Sequence, residues 1–177
     1  QGDALHLGPR RPPVQALENG VVLAGDRHDG RAGRARGLDQ QFAGQQAGFK
    51  MYPTFRPDKV YAVGNNAAWI QYIEKLEGAS RMRIGSFSDL RDALQSRIDF
   101  FDSLGCRASD HGLEHMYFDA DAEKNADKIF AALRGGKNGD ERDHQAFRSA
   151  VLTALGRMYH AKGWVQLFHV GALRNNS

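Results

Sequence analysis

The chain has 177 residues, with 24 Lys and Arg against 21 Asp and Glu, a formal net charge of +3. That length predicts one domain, and so small an imbalance lacks the basic stripe with interleaved aromatics that a nucleic-acid binder shows. Apolar residues at 41% and charged residues at 25% exclude a collagen, a disulfide scaffold and a mainly disordered chain, and no run approaches the ~18 apolar residues of a membrane span.

Neither nucleic acid nor membrane is therefore an expected partner. The first residues show no basic-then-apolar leader. Cys106 is the single cysteine, so no intramolecular disulfide can form, which fits a reducing cytoplasm.

Residues 1–47 stand apart in composition. They hold Arg10, Arg11, Arg27, Arg31, Arg34 and Arg36 among many glycines, with Phe42 as their aromatic residue. Beyond Val21-Val22-Leu23 they show neither a helical nor a strand period, too little apolar surface to offset the entropy of ordering. The expectation is a disordered arm or a segment translated out of frame. From residue 48 onward the pattern is that of a folded protein. Phe49 to Phe55 reads as a strand ended by Arg56-Pro57-Asp58-Lys59. Ala67 to Glu77 reads as a helix with Trp69, Ile70, Ile73 and Leu76 inward, stopped by Gly78. Ser86 with Asp89 is a capping box. It opens a helix carrying Phe87, Leu90, Leu94, Ile98, Phe101 and Leu104, which Gly105 ends.

Cys106 to Ser109 is the second expected strand, opening into a turn at Asp110-His111-Gly112. Helices follow over about 120–133 and 141–161, the second with Phe147, Val151, Leu155, Met158 and Tyr159 inward, and Gly163 ends it. Trp164 to Val170 is the last strand. The order β-αα-β-αα-β makes the strands parallel, with helical pairs covering the sheet. Each strand ends in a polar cluster: Arg56 with Asp58 and Lys59, Asp110 with His111, and His169 with Arg174. Polar groups gathered at strand C-termini are the arrangement of a (β/α) barrel site or an open α/β sheet, and no glycine-rich phosphate loop follows any strand. Three strands cannot close a barrel, so the fold class expected is α/β, a piece of a larger protein: a partial (β/α)8 barrel or part of an open sheet.

Three runs carry a family resemblance. Thr54-Phe55-Arg56-Pro57-Asp58-Lys59, Gly105-Cys106-Arg107-Ala108-Ser109-Asp110-His111-Gly112-Leu113 and Phe168-His169-Val170-Gly171-Ala172-Leu173-Arg174-Asn175-Asn176 resemble, in order, three motifs of uronate isomerase (glucuronate isomerase). The resemblance covers about residues 48–177. It implies the metal-dependent (β/α)8 barrel of the amidohydrolase superfamily, and interconversion of D-glucuronate with D-fructuronate and of D-galacturonate with D-tagaturonate. The small-molecule partner implied is a hexuronate. A divalent metal such as zinc is implied for the full-length family. The His-x-His pair and late aspartate expected to hold it are not in this chain, so its metal ligands stay unknown and no metal is expected on the fragment.

Aldose–ketose isomerisation moves a proton between C2 and C1 through an enediol, and needs a base, a proton shuttle and stabilisation of developing negative charge. A guanidinium can hold the substrate carboxylate by two parallel hydrogen bonds. The resemblance makes Arg56 and Arg174 candidates for that hold. It makes Asp110, His111 and His169 candidates for catalysis.

Each residue also has a plainer explanation. His169 fits a hydrogen-bonded core histidine, Asp110-His111 an Asp-capped turn, Arg56 a partner of Asp58, and Arg174 a solvated side chain. His115, His144 and His160 read as surface residues, His6 and His28 carry little functional weight, and Cys106 reads as a small buried apolar group. Two other functions stay open: a metal-dependent hydrolase of the same superfamily, and a truncated chain with no activity of its own. The sequence does not set the oligomeric state.

Overall fold

The computed structural model describes residues 52–171. The expectations for residues 1–47 and for Arg174 lie outside them. Four helices and two strands follow in order: α1 (Asn66–Ser80), α2 (Phe87–Ser103), β1 (Ala108–Leu113), α3 (Ala122–Arg134), α4 (Glu141–Lys162) and β2 (Val165–Val170). A 3-10 turn, Asp58–Tyr61, precedes them.

Local chemistry accounts for most of the boundaries. The Asn65 side chain accepts from the Ala68 N–H and starts α1. That helix runs through Gly78, where the sequence predicts its end. It stops instead at Arg81, which holds φ 57 in the left-handed region. At α2 the Ser86–Asp89 capping box is formed in both directions, the Asp89 N–H donating to Ser86 Oγ at 3.1 Å and the Ser86 N–H to Asp89 Oδ2 at 2.9 Å. Gly163, at φ 67, closes α4 as expected.

β1 and β2 pair in parallel, with Asp110 opposite Leu167 and Gly112 opposite His169. The α3–α4 pair forms the connection between them, as a parallel pair requires. Among the described residues, the expected first strand shows pairing at one residue only. Phe55 bridges Ser109 in parallel, its N–H donating to the Ala108 carbonyl and its own carbonyl accepting from the Asp110 N–H. The reason is proline. The ladder could continue only through the N–H groups two residues away on either side, at Pro53 and Pro57, and neither has one.

The second strand is also displaced from its expected span. It covers Ala108–Leu113, so Asp110, His111 and Gly112 lie inside it rather than in a turn beyond it. Ser109, His111 and Leu113 alternate onto the buried face, and Asp110 and Gly112 onto the other.

The core lies between the buried face of the sheet and the helices. Phe55 is fully buried and meets Phe101, Tyr159 and Trp164 edge-on, at centroid distances of 5.2, 6.1 and 6.1 Å. Trp69, Ile73 and Leu76 of α1 and Phe147, Val151, Leu155 and Tyr159 of α4 are buried as their spacing predicts. His144 departs from its expected surface position: it is buried on α4, while His115 and His160 are exposed. Cys106 is buried and free. β2 is exposed along its whole length, Val165, Leu167, Phe168 and Val170 by 60%, 45%, 42% and 50%, because no described element covers it. No helix among the described residues is long and apolar enough to cross a membrane.

Candidate active site

Alternation along three neighbouring segments builds the site. Phe55 turns into the core, so Arg56 turns to the opposite face. There it meets Asp110 of β1, and His169 of β2 lies beyond. Arg56 Nε donates to Asp58 Oδ2 at 3.0 Å, and its NH1 lies 3.3 Å from Asp110 Oδ2. His169 Nδ1 lies 2.7 Å from Asp110 Oδ1, a close polar contact that is not an aligned hydrogen bond. The result is a row, Asp58–Arg56–Asp110–His169. Its inner members are about one-fifth exposed, while the His169 side chain is 57% exposed.

Asp58 anchors the buried end of the row. It opens the 3-10 turn, whose Val60 carbonyl accepts from the Trp69 indole at 2.8 Å. The Asp58 carboxylate also accepts from Tyr61 Oη at 2.6 Å and from the Gly112 N–H at 3.0 Å. That amide would pair with the Pro57 carbonyl if the ladder ran on. Burial pushes the Asp58 carboxyl up, but contacts from His111, Tyr61, Gly112 and Arg56 outweigh it and hold the group below its ordinary value. Burial, and then the Asp58 charge, push the Tyr61 phenol far above its usual range, so it stays a protonated donor.

His111 lies on the other face from Asp110. It is fully buried, stacked on Phe168 with centroids 5.4 Å apart, and its Nδ1 is 3.3 Å from both Asp58 Oδ1 and Tyr61 Oη. It therefore reaches the row only through Asp58. Of the expected site residues, Arg56, Asp110 and His169 converge directly. Sequence reasoning marks Asp58 only as a partner of Arg56, a pairing that is present, and misses Tyr61; their i, i+3 spacing just after a proline is the local signal that could have joined them. A cleft of about 380 Å³ flanks the row, lined by Asp58, Lys59, Tyr61, Gly112, Glu114 and Arg148 among others. Among the described residues no three His, Cys, Asp or Glu side chains gather so as to hold a metal ion, so by themselves they do not fit one.

The family model for glucuronate isomerase matches residues 23–177. The chain belongs to the glucuronate isomerase family. It is 41% identical over 138 residues to the uronate isomerase of Flavobacterium johnsoniae, covering 78% of this chain and 29% of that protein. To the uronate isomerase of Phocaeicola vulgatus it is 44% identical over 144 residues, 79% of this chain and 30% of the relative. The crystal structure of uronate isomerase from Thermotoga maritima superposes with a TM-score of 0.68 at 25% identity, over 78% of this chain and 31% of that one. Glucuronate isomerase from Caulobacter crescentus, at 24% identity and a TM-score of 0.64, shares the fold over 79% of this chain and 29% of its own. The chain thus spans about three-tenths of the length of its curated relatives. The second motif contains β1, and the third begins in β2, at Phe168-His169-Val170.

Proposed function

We propose that the chain contributes one wall of the active site of a uronate isomerase, which converts D-glucuronate to D-fructuronate and D-galacturonate to D-tagaturonate. Residues 48–177 are then the central part of a (β/α)8 barrel. The observation that carries the reading is the convergence of Arg56, Asp110 and His169 on one face of three parallel segments, with Arg56 just past its bridge and His169 at the penultimate residue of β2, toward the strand ends where barrel enzymes put their chemistry.

The reaction leaves the formula unchanged. The proton on C2 of the aldose is removed, an enediol forms, and a proton is returned to C1; the proton of the C2 hydroxyl is replaced by one on the oxygen of C1. Asp110 and His169, in contact, are suited to take up and return these protons. Arg56 keeps one nitrogen beyond those turned to Asp58 and Asp110: its NH2 is buried and makes no hydrogen bond among the described residues. It is suited to hold the hexuronate carboxylate. Arg174, in the same motif as His169, is the second proposed anchor. The divalent metal of the full-length family would need ligands other than the described residues. The single, buried Cys106 suits a cytoplasmic enzyme.

The test is proton NMR of D-glucuronate with a full-length relative and its variant at the position matching Arg56. Arg56→Ala should cut kcat/KM by roughly 10²-fold or more. Unchanged turnover would overturn the assignment.

A further inference from the structure

Asp58 is the most heavily partnered carboxylate among the described residues, and no step of the isomerisation uses it. Its two oxygens meet four groups from two stretches of chain: Tyr61 Oη at 2.6 Å and His111 Nδ1 at 3.3 Å on Oδ1, and the Gly112 N–H and Arg56 Nε, each at 3.0 Å, on Oδ2. Tyr61 and His111 are buried, and the Gly112 amide is fixed in β1. Three of the four groups are thus rigid, and the carboxylate has no freedom to follow Arg56. The guanidinium must follow the carboxylate.

We propose that Asp58, backed by Tyr61 and His111, is a positioning residue that sets the plane of the Arg56 guanidinium against the substrate carboxylate. The inference rests on the reading of Arg56 as carboxylate anchor. Gripping Nε fixes rotation of the planar group about its long stem, so the fork meets a carboxylate with little further ordering. Asp58 shares its negative charge among four partners, of which Arg56 is one. His111 belongs to this support. Buried beneath Phe168 and separated from Asp110 by the alternation of β1, it acts on Arg56 through Asp58 and does not face the reacting carbons.

The test is a double-mutant cycle in a full-length relative that carries the Thr-Phe-Arg-Pro-Asp-Lys run, with D-glucuronate as substrate and positions matched to this chain. Asp58→Asn should raise KM about tenfold while kcat changes by less than about threefold, the pattern of lost substrate binding. Arg56→Lys should raise KM on its own, because an ammonium cannot make the bidentate contact. In the Arg56→Lys background Asp58→Asn should add less than about twofold, because the residue it positions is gone. A merely structural Asp58 would give effects that multiply, the same fold-change in both backgrounds. Tyr61→Phe, which keeps the ring and removes one donor, should reproduce a smaller KM rise with the same coupling. It decides the matter if Asp58→Asn does not fold. An unchanged KM in the Asp58 or Tyr61 variants, or effects that multiply, would overturn the inference. An unchanged KM in Arg56→Lys alone would overturn the anchor reading itself, and the inference with it.

Discussion

His169 Nδ1 approaches Asp110 Oδ1 to 2.7 Å although the two residues are not register partners: Asp110 stands opposite Leu167, and His169 stands opposite Gly112. The contact is diagonal across a parallel pair, between side chains on the same face, two residues apart in register. Gly112 has no side chain to stand between them. The pair is therefore set by the ladder and not by a flexible loop.

In a full-length relative, replacing the residue equivalent to His169 by Ala, or that equivalent to Asp110 by Asn, should lower kcat by roughly 10²-fold or more. His169 is more than half exposed here, so in this chain His169→Ala should leave stability within about 0.5 kcal/mol. Kinetics indistinguishable from the parent in both variants would show that the diagonal pair is not part of the chemistry.

The isolated 177-residue chain should not turn over glucuronate, with or without added divalent metal. β2 exposes apolar side chains on both faces, and the matched relatives are more than twice as long as this chain, since 138 and 144 matched residues make up only 29% and 30% of them. A coupled assay of the purified chain checks this, and measurable isomerisation would refute it.

Asp58 should give the chain an acid-sensitive share of its stability. Its folded-state carboxyl titrates below the ordinary value, so the stabilisation is complete above the unfolded carboxylate range, near pH 4, and is lost as the pH falls through the lower folded value. Urea unfolding of the chain and of its Asp58→Asn variant should show a gap that is constant above about pH 5 and closes as the pH falls below about 4. A gap that widens with acid would contradict the sign.

Most of the helical frame is legible in the sequence, because periodic apolar spacing and caps such as Ser86–Asp89 are local signals. β2 is legible for the same reason, as a run of Val, Leu and Phe after a glycine stop. β1 is not, since Asp110, His111 and Gly112 have poor strand propensity and are held by pairing on both sides and by the burial of His111. The expected first strand fails at Pro53 and Pro57. The link from Asp58 to Gly112 crosses 54 positions, and no local pattern announces it. The burial of His144 is likewise a tertiary outcome.

The Gly- and Arg-rich stretch invites a test at the level of DNA. The family carries a Thr-Thr-Asp-Asp-Pro motif shortly before the strand leading to Thr54. One choice of codons for His28-Asp29-Gly30-Arg31-Ala32-Gly33, read one base later, spells Thr-Thr-Asp-Glu-Pro. If residues 1–47 are out of frame, the shifted reading of the gene should continue open and contain that run. A stop codon, or no Thr-Thr-Asp at this place, would refute it.

Phe55 and Arg56 are consecutive, and they serve opposite sides of the sheet. A change of length, unlike a change of side chain, cannot be absorbed here. Adding or removing one residue between Thr54 and Pro57 would exchange the two directions, driving a guanidinium among Phe101, Tyr159 and Trp164 and leaving a phenyl ring beside Asp110. The connection between α3 and α4, where Gly136, Lys137 and Asn138 are exposed, has no such parity to keep. Among descendants of this gene, insertions and deletions should accumulate in that connection and be absent from the four residues Thr54 to Pro57, even where those four residues differ in identity.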